Sequence, residues 1–413
     1  MSAGLPDRSG IVVVGGGLAG LACARLLCAA GRDVLVVEAA DGIGGRVRTD
    51  VVDGFRLDRG FQILLTEYPE LRRQLDVHRL QLRKFEPGAY VWRDGRGHEL
   101  VDPLRRPLAG VSSLAEPFVS MVDKARLARL MLRMRRMPVR EMLRAPETST
   151  EVALRESGFS DGVIERFWRP LFAGIQLDPS LSTSSRMFET ILRCLVMGDA
   201  AVPADGMGAI PAQLAEGIPP DRIVLDCRVE CLEGHTVRTS KGTVEAGLVV
   251  VATDGPTASK LIDLKPVQSR SVTGVWYAAD VPPVRTKAIV LDGTSQGPVF
   301  NVAIMSEVAP EYAPAGQTLL VAAAPGVCDA AIEPAVRAQL RRWWGPQVDD
   351  WRHLRTDAIE HGQPAQDPPF VPKRRVHLAG GLFVCGDHRD TASIQGALYS
   401  GRRCAEAVLT TSV

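Results

Sequence analysis

Aromatic residues make up only 5% of this chain, and its seven histidines and eight cysteines show no metal-ligand spacing. Without a C-x-x-C pair or a histidine partner at zinc spacing, no metal is expected. Cys23 and Cys28 would point about 140° apart on one helix. With Cys194, Cys227, Cys231, Cys328, Cys385 and Cys404 they read as small hydrophobes in a reducing, cytoplasmic setting. Charge of one sign is missing as well: 49 basic residues face 48 acidic ones, a net +1. No whole-molecule field steers the chain toward nucleic acid. Long apolar runs are also absent. Ile11 to Ala30 is interrupted by Gly15-Gly16-Gly17 and Arg25 and follows no basic cluster, so neither a membrane span nor a signal peptide is expected. The reading is a soluble or at most peripheral protein, long enough for roughly two domains.

What is present is concentrated between Ile11 and Arg48. The run Ile11-Val12-Val13-Val14 suits a buried parallel strand, and Gly15, Gly17 and Gly20 fall on G-x-G-x-x-G spacing before a helix at Leu18 to Ala30, capped by Gly31. The first glycine makes the turn, the second admits phosphates to backbone N–H groups, and the third lets helix and strand pack. Val34-Leu35-Val36-Val37 forms the next strand. Glu38 ends it, close to the ~20 residues past the glycines at which an acid reaches a ribose. A lone glycine triplet says little, but strand, loop, helix, strand and acid in register say dinucleotide.

A second glycine pair, Gly44-Gly45, then brings Arg46 toward the expected pyrophosphate. This pairing of G-x-G-x-x-G with G-G-R resembles the FAD-binding superfamily of flavin amine oxidases, protoporphyrinogen oxidases and phytoene (carotene) desaturases. The resemblance implies an α/β fold, with a Rossmann-like FAD-binding domain and an inserted α+β substrate domain. The FAD domain is expected at 1–85, 203–260 and 376–413. The substrate domain is expected at 86–202 and 261–375, with a helical region at about 117–198.

The same resemblance assigns cofactor contacts. Gly15, Gly17, Leu18, Ala19, Gly20, Gly44, Gly45 and Arg46 would meet the diphosphate, and Glu38, Ala39 and Val229 the adenosine. Gly60, Phe61 and Gln62 would neighbour the flavin ring, Ala252 and Thr253 would pass near the dinucleotide, and Gly386 and Asp387 would hold its chain. Ser393, Ile394 and Ala397 open a closing helix whose free N–H groups and dipole suit the anionic reduced flavin.

Between these anchors, Tyr68 to Leu75 reads as a helix, Glu86 to Pro107 as short strands around Tyr90-Val91-Trp92, and Ile223 to Val229 as a strand. Leu248 to Thr253, Leu382 to Asp387 and a helix at Glu333 to Trp344 follow. Pro117 to Met142 reads as one helix in which arginines interleave with methionines. It is either a solvated face over a methionine-filled core or a basic amphipathic surface for peripheral contact with a membrane. Glu151 to Gly198 reads as helical, broken at Pro170 and Pro179.

No second glycine fingerprint occurs, so the electron acceptor is expected to be oxygen, a quinone or another protein rather than NADPH. Amine oxidases of the superfamily usually carry an aromatic residue at the place of Ser393. The serine, within Ala392 to Ala397, looks more like the carotene desaturases. The leading expectation is therefore an FAD-dependent oxidoreductase that dehydrogenates a hydrophobic small molecule of isoprenoid or polyene type by hydride transfer to flavin. The alternatives are an amine or amino-acid oxidase that releases hydrogen peroxide, and a non-catalytic prenyl-binding protein of the same fold. No catalytic acid or base stands out. Arg59, Phe172, Trp276, Tyr277 and His388 are the substrate-side candidates, and Lys287 is the place to look for the lysine that amine oxidases set near the flavin.

Overall fold

The apolar run near the start becomes the middle of a seven-stranded sheet. Arg8–Val14 pairs in parallel with Val34–Val37 on one side and Gly242–Val251 on the other. Ile223–Val224 and Leu382–Val384 extend the sheet outward, also in parallel. Thr236–Thr239 and Val229–Glu233 hang antiparallel from the first half of Gly242–Val251. Residues covered on both faces need no polar alternation, and Ile11 to Val14 and Val34 to Val37 are all buried. The computed structural model describes residues 4–101, 105 and 119–411.

The first helix, Leu18–Ala29, ends one residue earlier than its sequence suggests. Gly31, at φ +73°, turns the chain while its N–H donates to Cys28 O and that of Arg32 to Leu27 O, which satisfies the last carbonyls. Ile394–Thr410 packs beside this helix at close range. A Cβ on Gly401 would lie 2.3 Å from the Ala19 carbonyl oxygen, so glycine permits the approach.

A second seven-stranded sheet runs in the order Arg352–Pro364, Ser269–Ala279, Thr318–Pro325, Asn301–Ile304, Ile289–Asp292, Gly88–Arg93, Arg96–Val101. Only Ile289–Asp292 and Gly88–Arg93 pair in parallel. Helix Glu333–Trp344 covers one face, where Tyr277 packs with Trp343, Trp344 and Trp351. The other face sends Trp276, Ala303 and Val321 into the core shared with the first sheet's helices. Strand alternation thus separates Trp276 from Tyr277.

Several expected elements divide where the backbone turns. The stretch from Ile223 to Val229 is two strands with different partners, because Asp226 sits between them at φ +52°. The helix expected at Tyr68 to Leu75 shortens to Pro69–Gln74. The strand expected to reach Asp387 stops at Val384, and that expected to reach Thr253 stops at Val251. Tyr90 lies in a hairpin whose turn residues are Asp94 (φ +53°) and Gly95 (φ +74°). Of the Glu86 to Pro107 expectation, 102–104 and 106–107 fall outside the described residues, as do 117 and 118 of the next helix.

That next helix is two, Met121–Arg136 and Val139–Met142. Pro138 forces Met137 into an extended conformation at ψ 123° and ends the first. Pro170, by contrast, breaks nothing. A widened π-type turn at Ile164–Trp168 precedes it, and Arg169–Gln176 continues with the proline in its first turn, where a missing N–H costs little. Pro179 does lie in a loop, between Leu177 and Leu181, both left-handed. No helix of the described residues is long and apolar enough to cross a membrane.

Candidate cofactor and substrate site

The carboxyl ends of the parallel strands open into a cavity of about 480 Å³. At its polar end Gly15 turns the chain at φ +108°, and a Cβ on Gly17 would meet nothing within 4 Å. Gly20 lies beneath, outside the lining: its Cβ would sit 2.0 Å from Gly15 O, so it serves packing. The helix behind this loop has no acidic residue in its first turn and no side-chain cap at Gly17. Its positive end faces the cavity uncompensated, which suits a diphosphate.

The second glycine pair closes over the first. Gly44 N–H donates to Gly16 O at 2.8 Å, and a Cβ on Gly45 would stand 3.4 Å from Gly17 Cα. Arg46 follows. Its Nη2 lies 2.9 Å from Asp387 Oδ2, and its Nη1 donates to the Gly362 carbonyl at 2.8 Å. Glu38 accepts from Gly16 N–H at 2.6 Å and from Ala40 N–H at 2.8 Å. Two carboxylate oxygens have about four acceptor sites, so Glu38 retains capacity for ribose hydroxyls. Leu18, Ala19, Ala39, Val229, Ala252, Thr253 and Gly386 complete this lining, with Arg228, Asp254 and Thr257, which sequence reasoning missed.

The opposite end is built on the turn Gly60-Phe61-Gln62. Gln62 Nε2 donates to the carbonyls of Arg46 (2.6 Å) and Arg59 (2.9 Å), tying this turn to the polar end. Asp357 Oδ2 accepts from both Gly60 N–H (3.3 Å) and Trp276 Nε1 (3.0 Å). Ser393 caps the closing helix through Gly396 N–H at 3.0 Å and bonds the Thr391 hydroxyl at 2.9 Å. It also meets the phenol of Tyr68, whose pKa burial pushes well up. Ile394 and Ala397 line the wall beside it, and Arg59 lines it while paired with Asp50 at 3.3 Å.

Four substrate-side candidates lie outside the lining. Phe172 is buried against Phe188 and Trp168, and the cavity receives Leu171, Gly174 and Ile175 from the same helix. Trp276 is buried and held by the same Asp357 carboxylate as Gly60, and Tyr277 faces away, donating to Glu333 at 3.1 Å. His388 is packed under Gly386 with neither ring nitrogen hydrogen-bonded among the described residues. Burial pushes its pKa down to about 4, so it is neutral at ordinary pH. Lys287 is exposed, whereas Ile289 lines the wall. The missed wall residues Val272, Ile289, Asn301 and Ile359 come one each from four strands of the second sheet, and no local motif marks them.

Charge divides the cavity. Its three lining acids, Glu38, Asp254 and Asp387, belong to the dinucleotide end, while the far end is walled by Leu65, Phe61, Leu171, Ile175, Ile191 and Ile289.

Residues 18–409 match the model of the flavin containing amine oxidoreductase family. Coproporphyrinogen III oxidase of Mycobacterium bovis is 26% identical over 284 residues, 61% of this chain and 60% of that protein. Putrescine oxidase of Kocuria rosea is 42% identical over 118 residues, 27% of this chain and 24% of that one. The matched stretches therefore cover less than two thirds of these relatives. Among solved structures, cyclohexylamine oxidase from Brevibacterium oxydans superposes with a TM-score of 0.72 at 17% identity, covering 98% of this chain and 99% of that one, a likeness of fold.

Proposed function

Because this chain belongs to the flavin containing amine oxidoreductase family, we propose that it is an FAD-dependent oxidoreductase acting on a hydrophobic small molecule. The observation that carries the substrate class is the division of charge in the cavity. A cationic amine carried into the apolar end would lose its hydration with no lining carboxylate to replace it, at a cost of several kcal/mol. An apolar substrate carries no such cost there.

In this reading the dinucleotide lies along Gly15, Gly17, Gly44 and Gly45, with Arg46 and Asp387 at its diphosphate and Glu38 at its ribose. Bound FAD supplies the hydride acceptor. The protein's own contribution is position and exclusion of water. Asp357 fixes Gly60, Gln62 braces the turn against Arg46, and the aliphatic walls keep the reacting carbon dry. The N-terminus at Ile394, capped by the neutral Ser393 hydroxyl and with no acid in its first turn, would place a positive potential beside the ring. The same reading assigns 1–85, 203–260 and 376–413 to the cofactor domain and the remainder to the substrate domain, with oxygen, a quinone or another protein as acceptor.

Two candidates bring no cation to that end: the apolar polyene suggested by the segment around Ser393, and a porphyrinogen, a tetrapyrrole ring bearing anionic carboxylates, named for the mycobacterial relative. The amine oxidase alternative is favoured by the putrescine oxidase match. Anaerobic bleaching of the flavin band in the FAD-loaded protein tests them together. Bleaching by a polyene or by coproporphyrinogen, and none by putrescine or cyclohexylamine, supports the proposal. Bleaching by amines alone, with peroxide released in air, establishes the alternative. A protein that shows no flavin band after addition of FAD is not an FAD enzyme.

A further inference from the structure

A helix on the surface of a globular protein needs one apolar stripe, facing the core. Met121–Arg136 has two. Leu130 and Met134 are buried in the helical lobe. About 160° around the axis from both stands Leu132, in line with Ala128, Ala125 and Met121 on the outward face. There Met121 is 65% exposed and Leu132 43%, with Val122 at 57% on the flank.

Charge marks this surface too. Residues 119–144 hold eight basic residues against two acidic ones, in a chain whose totals are 49 and 48. Of the two acids, Asp123 is buried and committed: it accepts from Ser160 N–H at 3.1 Å and the Ser160 hydroxyl at 2.7 Å, fixing the start of the helix to the lobe. By helical spacing Lys124 and Arg135 border the apolar stripe on one side and Arg129, Arg133 and Arg136 on the other. Arg133 reaches Glu189 at 2.7 Å.

We propose that this face is a docking surface for a bilayer rich in anionic phospholipid, with the helix lying in the plane of the headgroups. An apolar stripe alone would fit a protein groove. A stripe bordered by arginines, whose long stems carry their charge up to the phosphates while the stripe dips below them, fits a lipid surface. The helix is held in place before contact, so binding requires no folding of this element. The inference stands apart from the proposed activity. Its bearing on that activity is that the lobe carrying this face also supplies Leu171, Ile175 and Ile191 to the apolar end of the cavity.

The test is co-sedimentation of the full, FAD-loaded chain with vesicles of phosphatidylcholine alone, or mixed equally with phosphatidylglycerol. Binding is expected to the mixed vesicles only and to weaken with salt. Partitioning is expected to fall about tenfold or more in Met121→Ser/Leu132→Ser and in Arg129→Gln/Arg136→Gln. All four positions are solvent-exposed, so thermal stability should hold. In Leu132→Trp, tryptophan emission should shift to the blue on mixed vesicles and stay put on phosphatidylcholine. Failure to sediment with anionic vesicles, or sedimentation indifferent to both double variants, overturns the proposal. So does a dimer in solution that Leu132→Ser dissolves while no variant binds vesicles, because the face then belongs to a second copy.

Discussion

The guanidinium of Arg46 lies 2.9 Å from the carboxylate of Asp387, joining the second glycine pair to the turn that follows the last strand. Both side chains line the dinucleotide end of the cavity. Arg46→Ala should raise the dissociation constant for FAD by roughly 10–100-fold, the worth of one or two charge-assisted hydrogen bonds. Arg46→Lys should recover only part, lacking the fork that serves Asp387 and Gly362 together. Titration followed by quenching of FAD fluorescence measures both.

Gly17 and Gly20 separate binding from folding. A methyl on Gly17 meets no protein atom within 4 Å, whereas one on Gly20 collides with Gly15 O at 2.0 Å. Gly17→Ala should keep its melting temperature to within ~3 °C and lose FAD. Gly20→Ala should destabilise by about 2–3 kcal/mol, because a backbone atom must move. Calorimetry of the two cofactor-free proteins, beside their FAD content after reconstitution, would show the contrast.

Two buried groups titrate in opposite senses. Asp58 accepts from Met207 N–H and Tyr312 OH at 2.9 Å each, yet burial raises its pKa from 3.8 to about 6. The native state then holds more protons than the unfolded chain, and stability falls as pH rises from about 4 to about 6. His388 is depressed by burial from 6.5 to about 4, so its contribution falls as pH drops through that window. Each is worth about 3 kcal/mol at most, and they nearly cancel. Asp58→Asn should therefore unmask a stability that rises between pH 4 and 6.5, and His388→Phe one that falls. Urea midpoints across that range decide the signs.

Asp357 is expected to position the flavin-side turn without touching substrate. Asp357→Leu leaves Gly60 N–H and the buried Trp276 Nε1–H without their acceptor and should cost about 2–3 kcal/mol. Asp357→Asn, which keeps an acceptor oxygen, should recover most of it. A displaced visible spectrum in the FAD-loaded leucine variant, restored by asparagine, would distinguish this role from simple core loss.

The glycine loop, Glu38 and the Gly44-Gly45-Arg46 segment could be read from the sequence because contiguous backbone makes that end of the cavity. The far end could not. Val272, Ile289, Asn301 and Ile359 come from four separate strands of the second sheet, and which face a strand residue occupies depends on the phase of alternation, so of the adjacent Trp276 and Tyr277 one supports the Gly60 turn and the other packs under a helix. The Phe172 helix is apolar on both sides. Nothing in its composition distinguishes the stripe that fills the core with Trp168 and Phe172 from the stripe at Leu171 and Ile175 that faces the cavity. Likewise the effect of Pro170 turned on a widened turn five residues long, invisible to any rule that treats proline as a break.

Leu382–Val384 adds to the sheet beside Gly242–Val251, and the turn after it delivers Gly386, Asp387 and Ile394 to a cavity whose glycine floor is laid down by residue 45. During synthesis the floor therefore waits for its wall. A nascent chain can fold its first strands early, but the cavity closes only after residues near 394 have left the ribosome. Capture of the cofactor therefore waits until the segment that carries Asp387 and Ile394 has joined the glycine floor.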